Sequence, residues 1–248
     1  MLKVTDISKS YNQKEYAIKN LSFDVKRGSI LALLGHNGAG KSTTLRIISG
    51  IIGLNGGQVF INKTDLSKAN SEELRKIKQK IGFISETTNL LNFLTAWEYL
   101  FYIGKMYGIE DEQLLNQNMQ KLVQEFNIVD AKEKTIKEYS SGLKKRIALA
   151  SIMINAPDLL LLDEPTVHLD PIGVKLFKSY IKELSNNGTA IILATHQLDI
   201  AEKIADQILI INEGEKVFQG TMLELKNSFD DSQEHETLEN FYAKLIQN

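Results

Sequence analysis

Gly35 to Ser42 reads Gly-His-Asn-Gly-Ala-Gly-Lys-Ser and fits the pattern G-x-x-x-x-G-K-[ST] at every fixed position. Residues of these types at this spacing do phosphate chemistry. The glycines let the chain turn tightly, so that successive backbone N–H groups point at phosphate oxygens. Gly35, His36, Asn37, Gly38, Ala39 and Gly40 are therefore the candidate cradle, with Lys41 reaching the β and γ phosphates, Ser42 offering a hydroxyl to Mg²⁺, and Thr43 behind it. A second group is Leu159-Leu-Leu-Leu-Asp163-Glu164-Pro165. Four leucines make a strand buried on both faces, and ligands of such sheets lie beyond the strand C-termini, where this carboxylate pair falls. An isolated Asp-Glu pair reads as a solvated strand end. Downstream of a phosphate loop it reads as machinery: Asp163 in the Mg²⁺ shell, and Glu164 orienting and deprotonating the water that attacks a γ-phosphate.

The elements that must position these groups are legible in outline. Ser29 to Leu34 is a short apolar run suited to a buried strand, and Lys41 to Ser49 reads as a helix whose positive N-terminal end faces the phosphates. In the first ~30 residues apolar and polar positions alternate, as at Leu21, Phe23 and Val25, which predicts half-buried antiparallel strands. Gln58 to Asn62 predicts another strand. From about Thr87 to Ile154 a helical period takes over, opened by a capping box of Thr95 and Glu98, with Trp97, Leu100 and Phe101 at helical spacing behind it. Strand signals return at Leu159–Leu162, Ala190–Ala194 and Gln207–Ile211. The expected fold is α/β: a P-loop NTPase core with a mainly parallel sheet, an N-terminal antiparallel β subdomain and an inserted α-helical subdomain at about 87–154. The chain reads as one domain, 1–248, with a tail helix at about 221–248. In that tail Leu238, Phe241, Tyr242 and Leu245 form an amphipathic stripe, and Asp230, Asp231, Glu234 and Glu236 are expected in water.

Composition excludes several classes. The 248 residues carry a net charge of −2, without the basic footprint that phosphate-backbone binding leaves, so nucleic acid is not expected as a partner. There is no cysteine, hence no disulfide or thiolate metal site. No apolar stretch approaches the ~20 residues of a membrane span, and Met1 to Ser10 is too polar for a signal peptide, so a cytoplasmic protein is expected. Arg75, Lys76, Lys78 and Lys80 read as a solvated helix face.

The order of motifs over essentially the whole chain resembles the ATP-binding subunit of ABC transporters. Tyr139-Ser-Ser-Gly-Leu-Lys-Lys-Arg146 is similar to the family signature, usually written L-S-G-G-Q, in the form with Tyr first found in many ABC-2-type exporters. Val167-His-Leu-Asp170 resembles the D-loop, Ala194-Thr-His196 the switch histidine, and Tyr11 stands where the family stacks an aromatic on adenine. The resemblance implies a head-to-tail dimer with two ATP molecules in its interface, each held by the phosphate loop of one subunit and by Ser140, Ser141 and Gly142 of the other, with Asp170 nearby. His196 would contact the γ-phosphate and position water with Glu164. Hydrolysis would open the dimer and move an integral-membrane permease, placing the protein peripherally on the inner face of the membrane.

Two positions depart from the family pattern. Glu86 stands where the Q-loop glutamine is expected, which is similar to the E-loop of lantibiotic-immunity exporters; a carboxylate oxygen can bind Mg²⁺ as an amide oxygen does, but adds negative charge beside the phosphates. Ser141 replaces a usual glycine. These departures leave open a weakly hydrolysing partner in a heterodimer, and a soluble ABC-type ATPase outside transport is the other alternative. The aromatic residues Phe93, Trp97, Tyr99, Phe101, Tyr102 and Tyr107 read either as core of the helical subdomain or, following Glu86, as part of a groove for the permease.

Overall fold

A computed structural model of the chain describes residues 1–12, 15–87, 89–228 and 238–247. Two apolar runs dictate the central sheet. Ile30–Leu34 (β3) and Leu159–Asp163 (β7) are buried at every position, as strands covered on both faces must be. Between them runs Ala190–Thr195 (β8), parallel to both, so that Leu34 pairs with Thr195 and Asp163 with Ala194. Ile81–Ile84 (β6) extends the sheet beyond β7, and Gln207–Asn212 (β9) extends it beyond β3. Glu215–Gly220 (β10) pairs antiparallel with β9 at the edge, and the order is β10-β9-β3-β8-β7-β6. The C-terminal ends of β3, β8 and β7 therefore lie side by side, and each carries a predicted functional segment: Gly35 onward, His196, and Glu164.

The alternating N-terminal segment forms a second, antiparallel sheet. Leu2–Ser10 (β1) pairs with Tyr16–Val25 (β2) and with Gly56–Ile61 (β4), and Thr64–Asp65 (β5) adds an edge. Leu21, Phe23 and Val25 are buried, as their spacing requires. Lys41–Ile48 (α1) lies between the two sheets, its Leu45, Ile47 and Ile48 sharing a core with Leu2, Val4 and Val59 on one side and Leu33, Leu161 and Ile192 on the other. A helix packed on both sides holds the phosphate loop at its N-terminus rigidly.

Between β4 and β7 the chain is largely helical: Ser71–Lys78 (α2), Ala96–Met106 (α3), Glu112–Glu125 (α4) and Ser141–Met153 (α5), with a 3₁₀ turn at Ile136–Glu138. Thr95 and Glu98 cap α3 reciprocally, the Glu98 N–H donating to Thr95 Oγ1 at 3.2 Å and the Thr95 N–H to Glu98 Oε2 at 2.8 Å. Helices α3, α4 and α5 meet through Leu100, Leu115, Met119 and Leu149. The aromatic group divides: Tyr99 is buried, Trp97, Phe101 and Tyr107 are half-buried, while Phe93 is 74% and Tyr102 45% exposed. Helix α2 buries no residue, and its basic face is in water. Pro171–Asn186 (α6), Leu198–Ile204 (α7), Met222–Asn227 (α8) and Leu238–Gln247 (α9) complete the chain. Leu238 and Phe241 of α9 are buried against Ala32, Leu34 and Ile210, with Tyr242 and Leu245 beside them. Asp230, Asp231, Glu234 and Glu236 lie outside the described residues. Among those described, no helix is long and apolar enough to cross a membrane.

Candidate active site

The loop after β3 closes onto α1 through a backbone that only glycine accommodates at Gly40. Its φ is 106°, and a Cβ there would lie 2.6 Å from the Ala17 carbonyl oxygen. Gly40 is also the N-cap of α1 and has no side chain to cap it, and the first turn carries no acidic residue. The N-terminal amides and the positive end of the helix dipole thus face the cleft, ready for an anion. Lys41 is buried, and its ammonium donates to the carbonyl oxygens of Gly35 at 2.7 Å and His36 at 3.2 Å. Burial pulls its pKa down, against Glu164, Asp163 and Glu86, which pull it up. The His36 ring lies 2.9 Å from Asn212 Oδ1 and ties the loop to the end of β9.

Asp163 and Glu164 end β7 facing this loop. Asp163 is buried, which raises its pKa, and the Ser42 hydroxyl bonded to its carboxylate partly offsets the rise. Glu164 adopts φ 46°, a left-handed turn uncommon for a residue with a side chain, fixed by its N–H donating to the Ala194 carbonyl at 2.9 Å. The turn directs its carboxylate across the end of β8. There it accepts from Thr195 Oγ1 at 2.9 Å and from the His196 N–H at 3.0 Å, and lies 2.8 Å from His196 Nδ1. The Glu164 side chain is 6% exposed and that of His196 53%.

Lys41, Ser42, Thr43, Asn37, Gly38, Gly40, Glu86, Asp163 and Glu164 line one cleft of about 220 Å³. Tyr11 stands beside it, 62% exposed, its hydroxyl 3.4 Å from Thr43 Oγ1 and the Lys9 ammonium 5.6 Å from its ring centre. Such an arrangement can seat a polyphosphate on amides and an ammonium, with an aromatic face free for a base. For a metal, no group of three His, Cys, Asp or Glu among the described residues could hold an ion unaided. The Ser42 hydroxyl with the Asp163 and Glu86 carboxylates is instead a partial set of hard oxygens, which fits Mg²⁺, an ion that keeps waters and takes phosphate oxygens as its remaining ligands.

The other predicted residues gather elsewhere. Ser140, Ser141, Gly142 and Asp170 line a separate hollow of about 570 Å³ with Arg146 and His168. Ser140 caps α5, accepting from the Leu143 N–H at 3.4 Å. Asp170 caps α6, accepting from the Gly173 N–H at 2.9 Å, and is bonded to Arg146, which holds its carboxyl below the usual range. The carboxylate expected at a nucleotide is thus engaged within its own chain. A cleft of about 270 Å³ around Asp158 and Tyr180, at the opposite strand ends, contains none of the predicted residues.

Sequence reasoning assigned no role to Lys145. It is 2% exposed, and its ammonium donates to the Glu86 carbonyl oxygen at 3.3 Å. Burial lowers its pKa, while Asp163, Glu86 and Glu164 raise it. It stands between Lys144 and Arg146 in a basic triplet that reads as solvated, so the sequence carries no local signal for it.

A protein-family model described as "ABC transporter" matches residues 18–167. The linearmycin resistance ATP-binding protein LnrL of Bacillus subtilis (strain 168) is 34% identical over 225 residues, 91% of this chain and 70% of that protein. Among solved structures, an ATP-binding subunit of an ABC transporter superposes with a TM-score of 0.90 at 28% identity, over 99% of both chains. A dimeric ATP-binding cassette in a post-hydrolysis state, bound to ADP and Pi, superposes with a TM-score of 0.81 at 26% identity, over 90% of this chain and 99% of that one.

Proposed function

The chain is an ATPase of the ABC transporter family, and from that premise we propose that it energises a separate membrane permease, as an exporter. The observation that carries this reading is the convergence of Lys41, Ser42, Glu86, Asp163 and Glu164 on one cleft beyond the C-terminal ends of β3, β7 and β6. In this reading residues 1–248 act as one ATP-binding domain, with 87–154 as its helical insertion, and the tail expected as one helix at about 221–248 is described as two, α8 and α9, packed on the core through Leu225, Leu238 and Phe241.

The residues divide the work as follows. The loop amides and Lys41 hold the β and γ phosphates, Lys41 exchanging its present carbonyl partners for phosphate oxygens, and Tyr11 stacks on the base. Ser42, Asp163 and Glu86 would hold Mg²⁺, which when bound would supply charge neutralisation at the phosphates. Glu164, oriented by Thr195 and His196, takes a proton from the attacking water as the new P–O bond forms and the bond to the ADP oxygen breaks. His196, more than half exposed, is placed to contact the γ-phosphate.

Ser140, Ser141 and Gly142 lie in a different hollow from Lys41, so one chain does not surround a nucleotide. A second ATP-binding subunit, identical or related, would supply the missing donors in a head-to-tail dimer. The protein would then sit on the cytoplasmic face of the membrane, through the permease. The exporter assignment draws on LnrL, a resistance protein, and on Glu86 and the Tyr139-Ser140 signature; hydrophobic peptides, antibiotics or lipid-like molecules are the cargo class. The test is copurification with the permease and assay of phosphate release. ATP should be hydrolysed in Mg²⁺ and not after chelation with EDTA, and a copurified complex inactive in both conditions would refute the reading.

Glu86 should behave as a metal and coupling residue. Glu86→Gln keeps a ligand oxygen, so ATP affinity should stay within about a factor of ten and hydrolysis should persist. Glu86→Ala removes the oxygen, and both Mg²⁺-dependent turnover and transport should fall, transport further. Paired ATPase and transport assays decide: wild-type behaviour of Glu86→Ala in both removes the role.

A further inference from the structure

Helix α5 carries two basic residues, Lys145 and Arg146, into the interior. Arg146 is bonded to Asp170 and faces the hollow around Ser140. Lys145 donates at 3.3 Å to the backbone carbonyl oxygen of Glu86, a residue that lines the other cleft. A buried ammonium is costly to desolvate and is kept where opposite charge surrounds it. Here three carboxylates, Glu86, Asp163 and Glu164, act on it. Two of them end β7, and Glu86 is the additional one, where the family pattern has a neutral amide. A triphosphate entering beside three carboxylates and Lys41 alone meets strong like-charge repulsion.

We propose that Lys145 is a positioning residue that pins the Glu86 segment through its carbonyl and offsets the charge Glu86 adds, so that the cleft accepts a nucleoside triphosphate. This rests on the reading of that cleft as the ATP site. Lys145 touches the loop through a backbone atom, so it can act without competing with a metal for the Glu86 carboxylate. It also lies on the helix whose N-terminus carries Ser140 to Gly142, so one rigid element spans both clusters of predicted residues.

The test is a double-mutant cycle on the full chain, reading the affinity for a fluorescent ATP analogue in wild type, K145Q, K145R, E86Q and E86Q/K145Q. K145Q should weaken binding about tenfold, K145R should stay within about threefold of wild type, and E86Q/K145Q within about threefold of E86Q. An equal loss in both backgrounds, or none in K145Q, overturns the proposal, because a purely packing role does not depend on the charge at residue 86. Should K145Q fail to fold, E86Q/K145Q must fold and bind as E86Q does; failure of both to fold also overturns it. Wild type and K41A run alongside separate the two levels of argument. Wild type without affinity for the analogue removes the ATP reading itself, whereas wild type that binds while the cycle is additive removes only the role of Lys145.

Discussion

Replacing Glu164 by Gln should lower ATP hydrolysis by roughly two orders of magnitude or more while leaving ATP bound, since the change keeps the side-chain shape and removes the base. The surroundings make the substitution informative. The Glu164 carboxylate accepts from Thr195 Oγ1 and the His196 N–H. The two donors go to different carboxylate oxygens, so a glutamine oxygen in place of Oε1 keeps the His196 N–H while its amide can donate to the Thr195 hydroxyl oxygen, and the turn at φ 46° and the strand end should survive. Loss of turnover would then report proton transfer and not collapse of the site. Trapped ATP should also hold subunits together, so light scattering of Glu164→Gln at saturating Mg-ATP should give dimers that dissociate when nucleotide is removed. Hydrolysis within a factor of three of wild type would dismiss Glu164 as the base.

Lys41→Ala should cost on the order of 2 to 4 kcal/mol of nucleotide binding, because a preorganised direct donor to phosphate is lost. Titration with ATP should show the loss, and unchanged affinity would sink the phosphate-loop assignment. The ammonium now bonds the Gly35 and His36 carbonyls, so its removal also loosens the loop before nucleotide arrives. A melting curve without nucleotide separates the two effects. A small shift in Tm beside a large change in affinity assigns the loss to phosphate contact.

Much of this site was legible because it lies in contiguous motifs at the ends of strongly apolar strands. β3 and β7 are buried along their whole length, which is what their unbroken aliphatic runs require. Periodicity does not mark β6, four residues long and interrupted by Gly82. That glycine is there for space: a Cβ would lie 2.6 Å from the Leu160 side chain and 2.8 Å from the Ile152 carbonyl. Nor does it mark β10, an edge strand whose Glu215, Lys216 and Val217 are all exposed and whose Phe218 is half-buried, so exposure does not alternate along it. Within the site, Lys41 and Glu164 announce themselves by pattern, whereas Lys145 and Asn212 act through contacts across the fold that no local window contains. Asp170 is the reverse case. Its motif suggests a nucleotide contact, and its carboxylate is occupied by the α6 N-terminus and Arg146.

The position of β8 has a consequence for how the protein comes into being. The strand that separates β3 from β7 is made after both, so during synthesis the phosphate loop and the carboxylates of Asp163 and Glu164 exist before the element that aligns them. At ~5–20 residues per second, the interval between completion of Asp163 and of Thr195 is roughly 2 to 6 s. Over that time the aliphatic edges of β3 and β7 have no strand between them and are open to wrong partners or to chaperones. Pairing across such long sequence separations is slow to nucleate. A ribosome-bound chain that ends before residue 190 has every phosphate-loop residue and both carboxylates, yet it lacks the Thr195 and His196 donors that aim Glu164. With Glu164 as the base, nucleotide turnover would wait until β8 closes the sheet.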